Sequence, residues 1–397
     1  MTDKSWLTRN LLLLGLASLF TDLSSHIVFP LVPLFVTSVL GAGGVAVGLI
    51  EGSAETVSAL LKGWAGKWSD QLRRRQPFVV AGYAVSTVVK LLFVVATTWP
   101  LVLLARAAER VGKGLRSAPR DAIIADEVPA SSRGRAYGFQ RAMDAFGALL
   151  GATAAWWMLG FLEFREIFLW AVLPGVLGVA ATLLVREPPH PAGARDPAAP
   201  RESRPRFRDL PRALKLAIMG CAIFALGQFG IAFFLLSAKA EGLGNRDAML
   251  LYIVFNASNA LASMPAGRLS DRFGRLPVLI AGYAVFVLAC IAAFVAEGIP
   301  VLLAGFAVYG IAMAIVDGTQ RALVADLAPP TLRSTAMGAY HGAIALVALP
   351  GGYLAGSLWD SLSPHATFAF GAACAVAAAL ALAALHGQRT RPSSQAG

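Results

Sequence analysis

About every 33 residues this 397-residue chain enters another run of mostly apolar sequence, each close to the roughly 20 residues a helix needs to cross a bilayer. The runs cover 7–36, 44–69, 77–98, 100–127, 133–159, 166–185, 213–238, 247–270, 277–297, 300–327, 332–358 and 364–386. Hydrophobic residues make up 57% of the chain and charged residues 14%, against about 25% charge in soluble domains. The reading is an all-α integral membrane protein with twelve transmembrane helices. This pattern excludes a large soluble domain. The first run is too long for the apolar core of a cleaved signal peptide, so it is read as the first span.

A net charge of +11 raises the question of a nucleic-acid partner, and the placement of the bases answers it. If the spans alternate, Arg73, Arg74, Arg75, Arg133, Arg135, Arg272, Arg275, Arg333, Arg389 and Arg391 share one side with the segment 186–212, while the other side holds Arg165, Lys239 and Arg246. The positive-inside rule makes the first side cytoplasmic. Both termini then lie in the cytoplasm of a protein of the cell's inner (plasma) membrane, and the basic balance reports topology rather than nucleic acid. Segment 186–212 has seven prolines, seven arginines and four acids, a composition that buries too little apolar surface to fold. It reads as a linker between an N-terminal six-helix bundle at 1–185 and a C-terminal bundle at 213–397. Cys221, Cys290 and Cys374 all fall in apolar runs and indicate no disulfide framework.

The second half repeats the first 200 residues on. Ala81-Gly82-Tyr83-Ala84-Val85 recurs as Ala281-Gly282-Tyr283-Ala284-Val285, and Ala125-Asp126, Pro129 and Arg133 recur as Ala325-Asp326, Pro329 and Arg333. Over 79–142 there are 17 identities in 64 ungapped positions. Chance similarity between apolar helices gives scattered Ala and Leu, not a shared loop of Asp, Pro and Arg. Two pseudo-twofold-related six-helix bundles follow, since six spans return the chain to its starting side. Parallel repeats of this kind build transporters with the solute bound near midplane between the halves.

After span eight the chain reads Gly267-Arg268-Leu269-Ser270-Asp271-Arg272-Phe273-Gly274-Arg275. This resembles the signature loop of the major facilitator superfamily. A looser copy after span two keeps Gly66, Asp70 and Arg74, but has Gln71 and Arg73 where a base and a glycine are usual. Gly267 would permit close helix approach, and Asp271 could cap a helix N-terminus or pair with an arginine. The resemblance implies a cytoplasmic charge lock in each half, formed by Asp70, Asp126 and Arg133, with Arg74, and by Asp271, Asp326 and Arg333, with Arg275. Solvated loop charges that fix topology are the plainer alternative. On span five, Gly138, Gly147 and Gly151 resemble the start of the antiporter motif of proton-coupled drug exporters, but Ala152 stands where proline is usual. Small residues at these spacings also pack any two membrane helices closely.

Span four carries Arg106, Glu109, Arg110, Lys113, Arg116 and Arg120 within an arc of about 120°. A charge at mid-bilayer costs about 2.5–3.5 kcal/mol even on the mildest scale, so the stripe must face partners or a hydrated cavity. Here Arg110-Val111-Gly112-Lys113-Gly114 resembles the family's arginine motif. Asp22 and His26 share a face of span one, and Glu51 and Glu55 a face of span two. An acid in such a setting can exchange a proton, because desolvation and nearby bases pull its affinity in opposite directions. Asp22, Glu55 and Glu109 are the proton-coupling candidates. His26, Arg110, Lys113, Arg116, Gln228, Asn256, Asn259, Tyr309, Asp317, Tyr340 and His341 are the solute-cavity candidates, with helix-to-helix hydrogen bonding as the alternative role for those in the second half.

These readings imply a secondary active transporter working by alternating access, exporting a small organic or amphipathic solute in exchange for protons, and a monomer in the lipid bilayer. Proton-linked uptake of an organic or phosphorylated anion is the competing direction. A membrane-embedded enzyme would need a clustered catalytic set, and five histidines, of which His190 is in the linker and His365 and His386 at span ends, do not supply one. His26, Asp22 and a distant His341 are too few for a metal centre, and no cofactor is implied.

Overall fold

The computed structural model describes residues 7–72, 74–129, 132–186, 207–296, 298–329 and 332–390, with the side chains of 62–72, 334 and 385–390 left out. Most of the linker, at 187–206, and the side chain of Asp70 therefore lie outside the described residues. The helices are α1 (Arg9–Val28), α2 (Leu31–Ser38), α3 (Gly44–Leu72), α4 (Gln76–Val88), α5 (Lys90–Val95), α6 (Trp99–Glu127), α7 (Arg133–Met158), α8 (Phe164–Trp170), α9 (Val172–Leu183), α10 (Arg212–Gly227), α11 (Ile231–Ala240), α12 (Asn245–Phe273), α13 (Arg275–Phe294), α14 (Ile299–Leu327), α15 (Arg333–Ser361) and α16 (Pro364–Thr390). No strand occurs among the described residues. Four pairs of these helices are interrupted spans, so the described residues make twelve crossings. Ten are long and apolar enough to span a bilayer by length and composition. The two that are not are α6 and α7, which carry ionisable residues through their middles.

The ends follow local chemistry. Thr8 accepts a hydrogen bond from Leu11 N through its hydroxyl at 3.1 Å and starts α1, as an N-cap threonine does. Glu163 and Glu166 form a capping box on α8. The interruptions were not read from hydropathy. Span one breaks at Phe29–Pro30, where proline has no N–H to donate to the ladder. Span seven breaks at Gln228–Gly230, and Gly230 takes φ +76, a conformation open to glycine. The two breaks lie 200 residues apart in the sequence.

The chain divides into two compact units, Met1–Ala42 with Ser53–Glu202, and Gly43–Gly52 with Ser203–Gly397. In the first, α1 packs on α7 and α9, and α4 on α6 and α9; in the second, α10 packs on α15 and α16, and α13 on α14 and α16. The same pairings thus recur at helices 200 residues apart, which gives the sequence repeat a structural meaning. The opening turns of α3, at 43–52, belong with the second unit rather than with the rest of their span. Glycine explains this. A Cβ on Gly48 would fall on the Gly352 carbonyl oxygen and one on Gly352 on that of Gly48, so the backbones of α3 and α15 touch there. Asp360 then accepts hydrogen bonds from Gly44 N at 2.7 Å and Val45 N at 2.9 Å, capping α3 from another helix.

Glycines also set the seams of the first unit. A Cβ on Gly147 or Gly151 of α7 would meet the carbonyl oxygens of Leu19 and Leu23 on α1, whereas Gly138 has open space around it. Two of the three antiporter-like glycines therefore have a packing role. Gly267 likewise meets nothing within 4 Å among the described residues.

Candidate solute and coupling site

In the first unit, α6 places its charges against α1, α4 and α7, and most of them are tied to a neighbour. Arg106 is 4% exposed; its guanidinium lies 3.9 Å from the centre of the Phe29 ring, at the break in span one, and pairs with Glu109 at 3.6 Å. Glu109, 1% exposed, also faces Arg110 at 3.8 Å, and neither of its oxygens accepts a hydrogen bond from a described residue. It acts as a countercharge between two guanidiniums. Arg116 donates to Ser86 Oγ at 2.5 Å and stacks 4.6 Å from the Tyr83 ring centre. Lys90, at the break in span three, is fully buried and donates to the Ser86 carbonyl at 3.1 Å.

One turn further along α6, Arg120 donates to Ser18 Oγ at 2.9 Å and Asp121 at 3.1 Å, with Asp144 at 3.8 Å. Ser18 also bonds the Tyr83 hydroxyl at 3.0 Å and receives the Gln140 amide. Gln140 bonds Asp144 at 3.2 Å. Four helices meet in this hub. Tyr83, Ser18 and Gln140 were not picked out as functional from the sequence, although the repeated Ala-Gly-Tyr-Ala-Val run marked Tyr83.

Asp22 and His26 are half-buried on α1. Lys113, Arg106, Arg110 and Glu109 all act electrostatically on His26, so the structure does bring the span-one pair up to the stripe. Lys113 differs from its neighbours: it is exposed, and its strongest attraction is to Asp22. Glu55 is exposed on α3.

In the second unit the corresponding hub is uncharged. Gln320 donates to the Tyr283 hydroxyl at 3.0 Å and accepts from the Tyr340 hydroxyl at 2.8 Å. Tyr340 is thus occupied with helix-to-helix bonding, and His341 packs edge-on to its ring. Tyr309 is buried and stacks between Phe234 and Phe255, at 4.3 and 5.0 Å between ring centres. Asn256 bonds its own helix at Tyr252 O, and Asn259 crosses to Gly310 O at 3.1 Å. At the break in span seven, Gln228 reaches Met313 Sδ at 3.6 Å. Asp317 is exposed.

The acids at the end of α6 and α14, Asp126 and Asp326, pair with corresponding arginines, with one change from the motif. Arg275 bonds Asp271 at 2.6 Å, Asp326 at 3.1 Å and Ser270 at 2.8 Å. Asp126 pairs with Arg75, not with Arg133, which instead bonds the Ala125 carbonyl at 3.1 Å. Arg74 and Arg333 are exposed. Aligning the loops on their glycines matches Arg74 to Arg275. The ion pairs instead match Arg75 to Arg275, because each arginine stands at the start of the following helix. Among the described residues no group of His, Cys, Asp and Glu is placed to hold a metal.

The family model of the Major Facilitator Superfamily matches residues 14–258 and 218–397. An uncharacterized MFS-type transporter of Methanocaldococcus jannaschii is 37% identical over 386 residues, 95% of this chain and 94% of that protein. The multidrug resistance protein MdtG of Klebsiella pneumoniae is 24% identical over 299 residues, 73% of this chain and 72% of the relative. The crystal structure of a point mutant of the nucleoside transporter NupG superposes with a TM-score of 0.80 at 14% identity, covering 94% of this chain and 99% of the other. Matched by the family model in both halves and related along almost its whole length to an MFS-type transporter, the chain belongs to the major facilitator superfamily and is a multi-pass membrane carrier of a small-molecule solute, not an enzyme.

Proposed function

We propose that this carrier exports a small organic or amphipathic solute in exchange for protons, working as a monomer by alternating access. The two six-helix bundles, 1–185 and 213–397, are joined by the linker 186–212, and both termini face the cytoplasm across the inner (plasma) membrane. The observation that carries the coupling is Asp22: an intramembrane carboxylate, half-buried, within electrostatic reach of Lys113 and Lys90 but closed into no ion pair among the described residues. A carboxylate held this way can lose its proton to one side and regain it from the other as its surroundings change, the usual office of ionisable groups inside transporters. Glu109, clamped between two arginines, suits a fixed countercharge better, and exposed Glu55 is the reserve carrier. The multidrug name of the Klebsiella relative favours export.

Solute flux in proteoliposomes under an imposed pH gradient tests the reading. Flux should follow the gradient, and Asp22→Asn should abolish that dependence while leaving solute exchange. Gradient-independent transport, unchanged in Asp22→Asn, would remove the coupling. Uptake of an organic or phosphorylated anion is the second reading, favoured by eight mid-span bases (Lys62, Lys90, Arg106, Arg110, Lys113, Arg116, Arg120, Arg141) against six acids (Asp22, Glu51, Glu55, Glu109, Asp121, Asp144) in the first half of the chain. Inward rather than outward flux would select it.

A further inference from the structure

Of the six bases on α5 and α6, Arg106, Arg116, Arg120 and Lys90 are each committed to a ring, a hydroxyl, a carboxylate or a backbone carbonyl. Arg110 faces Glu109, which it shares with Arg106. Lys113 alone of the six makes no hydrogen bond or ion pair with its side chain among the described residues. It stands at the midpoint of the 29-residue α6, about 21 Å from either end, and is nevertheless exposed. An ammonium cannot stay bare in hydrocarbon at that depth; it must meet water or a ligand. Packing does not explain it either. Two hundred residues on, the same helical position is Met313, buried beside Gln228, and Arg110 is matched by Gly310. The fold therefore closes in the second unit without either charge.

We propose that Lys113, with Arg110 beside it, is the seat of an anionic group on the transported solute, a carboxylate or a phosphate monoester. This rests on the carrier reading above and narrows its solute to an organic anion. Asp22 is the charge the solute displaces: it attracts Lys113 without closing on it, and an incoming anion takes its place as the counterion. Arg116 is not part of the seat, because Ser86 and the Tyr83 ring already hold it.

The test uses the whole purified protein in detergent and two matched pairs at constant ionic strength, benzoate against benzyl alcohol and glycerol 3-phosphate against glycerol. At least one anion should raise the unfolding temperature where its neutral partner does not. Titration should show affinity for it falling about 10- to 100-fold in Lys113→Met, the loss of one charge-assisted hydrogen bond, and only a few-fold in Lys113→Arg. Methionine at this position is what the second unit already carries. Should Lys113→Met fail to fold, acylation of lysines in the wild type, followed by mass spectrometry, reads the same contact: the binding anion should slow modification of Lys113 and leave Lys215 unchanged. Neither anion outperforming its neutral partner, or undiminished binding by Lys113→Met, or unprotected Lys113, overturns the proposal. Counterflow in proteoliposomes separates the two layers. An anion bound but never carried sinks the carrier reading and leaves the seat, whereas brisk exchange of neutral solutes, indifferent to Lys113→Met, leaves the carrier and sinks the seat.

Discussion

The crossing of α4 and α6 is held by two glycines, and adding one carbon there has a calculable effect. A Cβ on Gly112 would lie 2.6 Å from Ser86 Oγ, 2.7 Å from the Gly82 carbonyl oxygen and 2.9 Å from Ser86 N. Two of these atoms are backbone and cannot swing away, so the helices must part by roughly 0.5–0.8 Å, the kind of overpacking that costs about 1–3 kcal/mol. The same movement draws Ser86 from Arg116, a charged hydrogen bond worth about 1.5–3 kcal/mol. Gly112→Ala should therefore lose at least about 2 kcal/mol, a fall of roughly 4 °C or more for a cooperative unit of this size. The control is Gly138→Ala, on a glycine with nothing within 4 Å, where removing a helical glycine is neutral or gains up to about 1 kcal/mol. Thermal unfolding of both variants in one detergent, at one scan rate, makes the comparison. Equal unfolding temperatures would refute the backbone-contact argument.

Asp360→Asn weakens the only side-chain cap on Gly44 and Val45 among the described residues, and should cost about 0.5–2 kcal/mol, read as faster amide exchange at the start of α3. The Arg275–Asp326 pair is largely exposed, so a double-mutant cycle of Arg275→Ala and Asp326→Ala should return no more than about 1 kcal/mol of coupling. A larger value would mark a pair with a role beyond its contact.

Hydropathy and spacing located all twelve crossings to within a few residues, because a bilayer permits little besides helices of fixed length. They did not locate the breaks. Phe29–Pro30 and Gln228–Gly230 lie inside apolar runs, and a window average cannot distinguish a continuous helix from an interrupted one. The charge stripe on α6 was legible for a physical reason: six ionisable groups within one arc of one helix have nowhere to go but inward. Which of them would be tied down was not legible, since the ties come from Ser86, Tyr83, Ser18 and Gln140 on other helices, residues with no charge to draw attention. Arg75, which pairs with Asp126, was not singled out because motif glycines set the register of the loop, whereas the start of α4 sets this ion pair.

The two hubs show what the repeat has kept and what it has exchanged. Tyr83, Arg120 and Gln140 in the first unit correspond to Tyr283, Gln320 and Tyr340 in the second; the first three converge on Ser18 Oγ of α1, whereas in the second unit both tyrosine hydroxyls bond the Gln320 amide. A neutral hub is therefore sufficient to join three of these helices, and Arg120 with Asp144 adds a charge pair the fold does not demand. Replacing Arg120 by the second unit's glutamine would leave Asp144, 19% exposed, with the Gln140 amide but without its countercharge. Breaking a buried pair from one side costs about 3–5 kcal/mol, while removing both charges together is often neutral. Arg120→Gln should accordingly be destabilised by several kcal/mol, and Arg120→Gln with Asp144→Ile, the residue at 344, should recover most of it. If the double variant is as unstable as the single, the pair is part of the packing after all. If it is stable but transport is lost, the charge was retained for the carrier's cycle, and the asymmetry between the units separates ion handling in the first from an uncharged hub in the second.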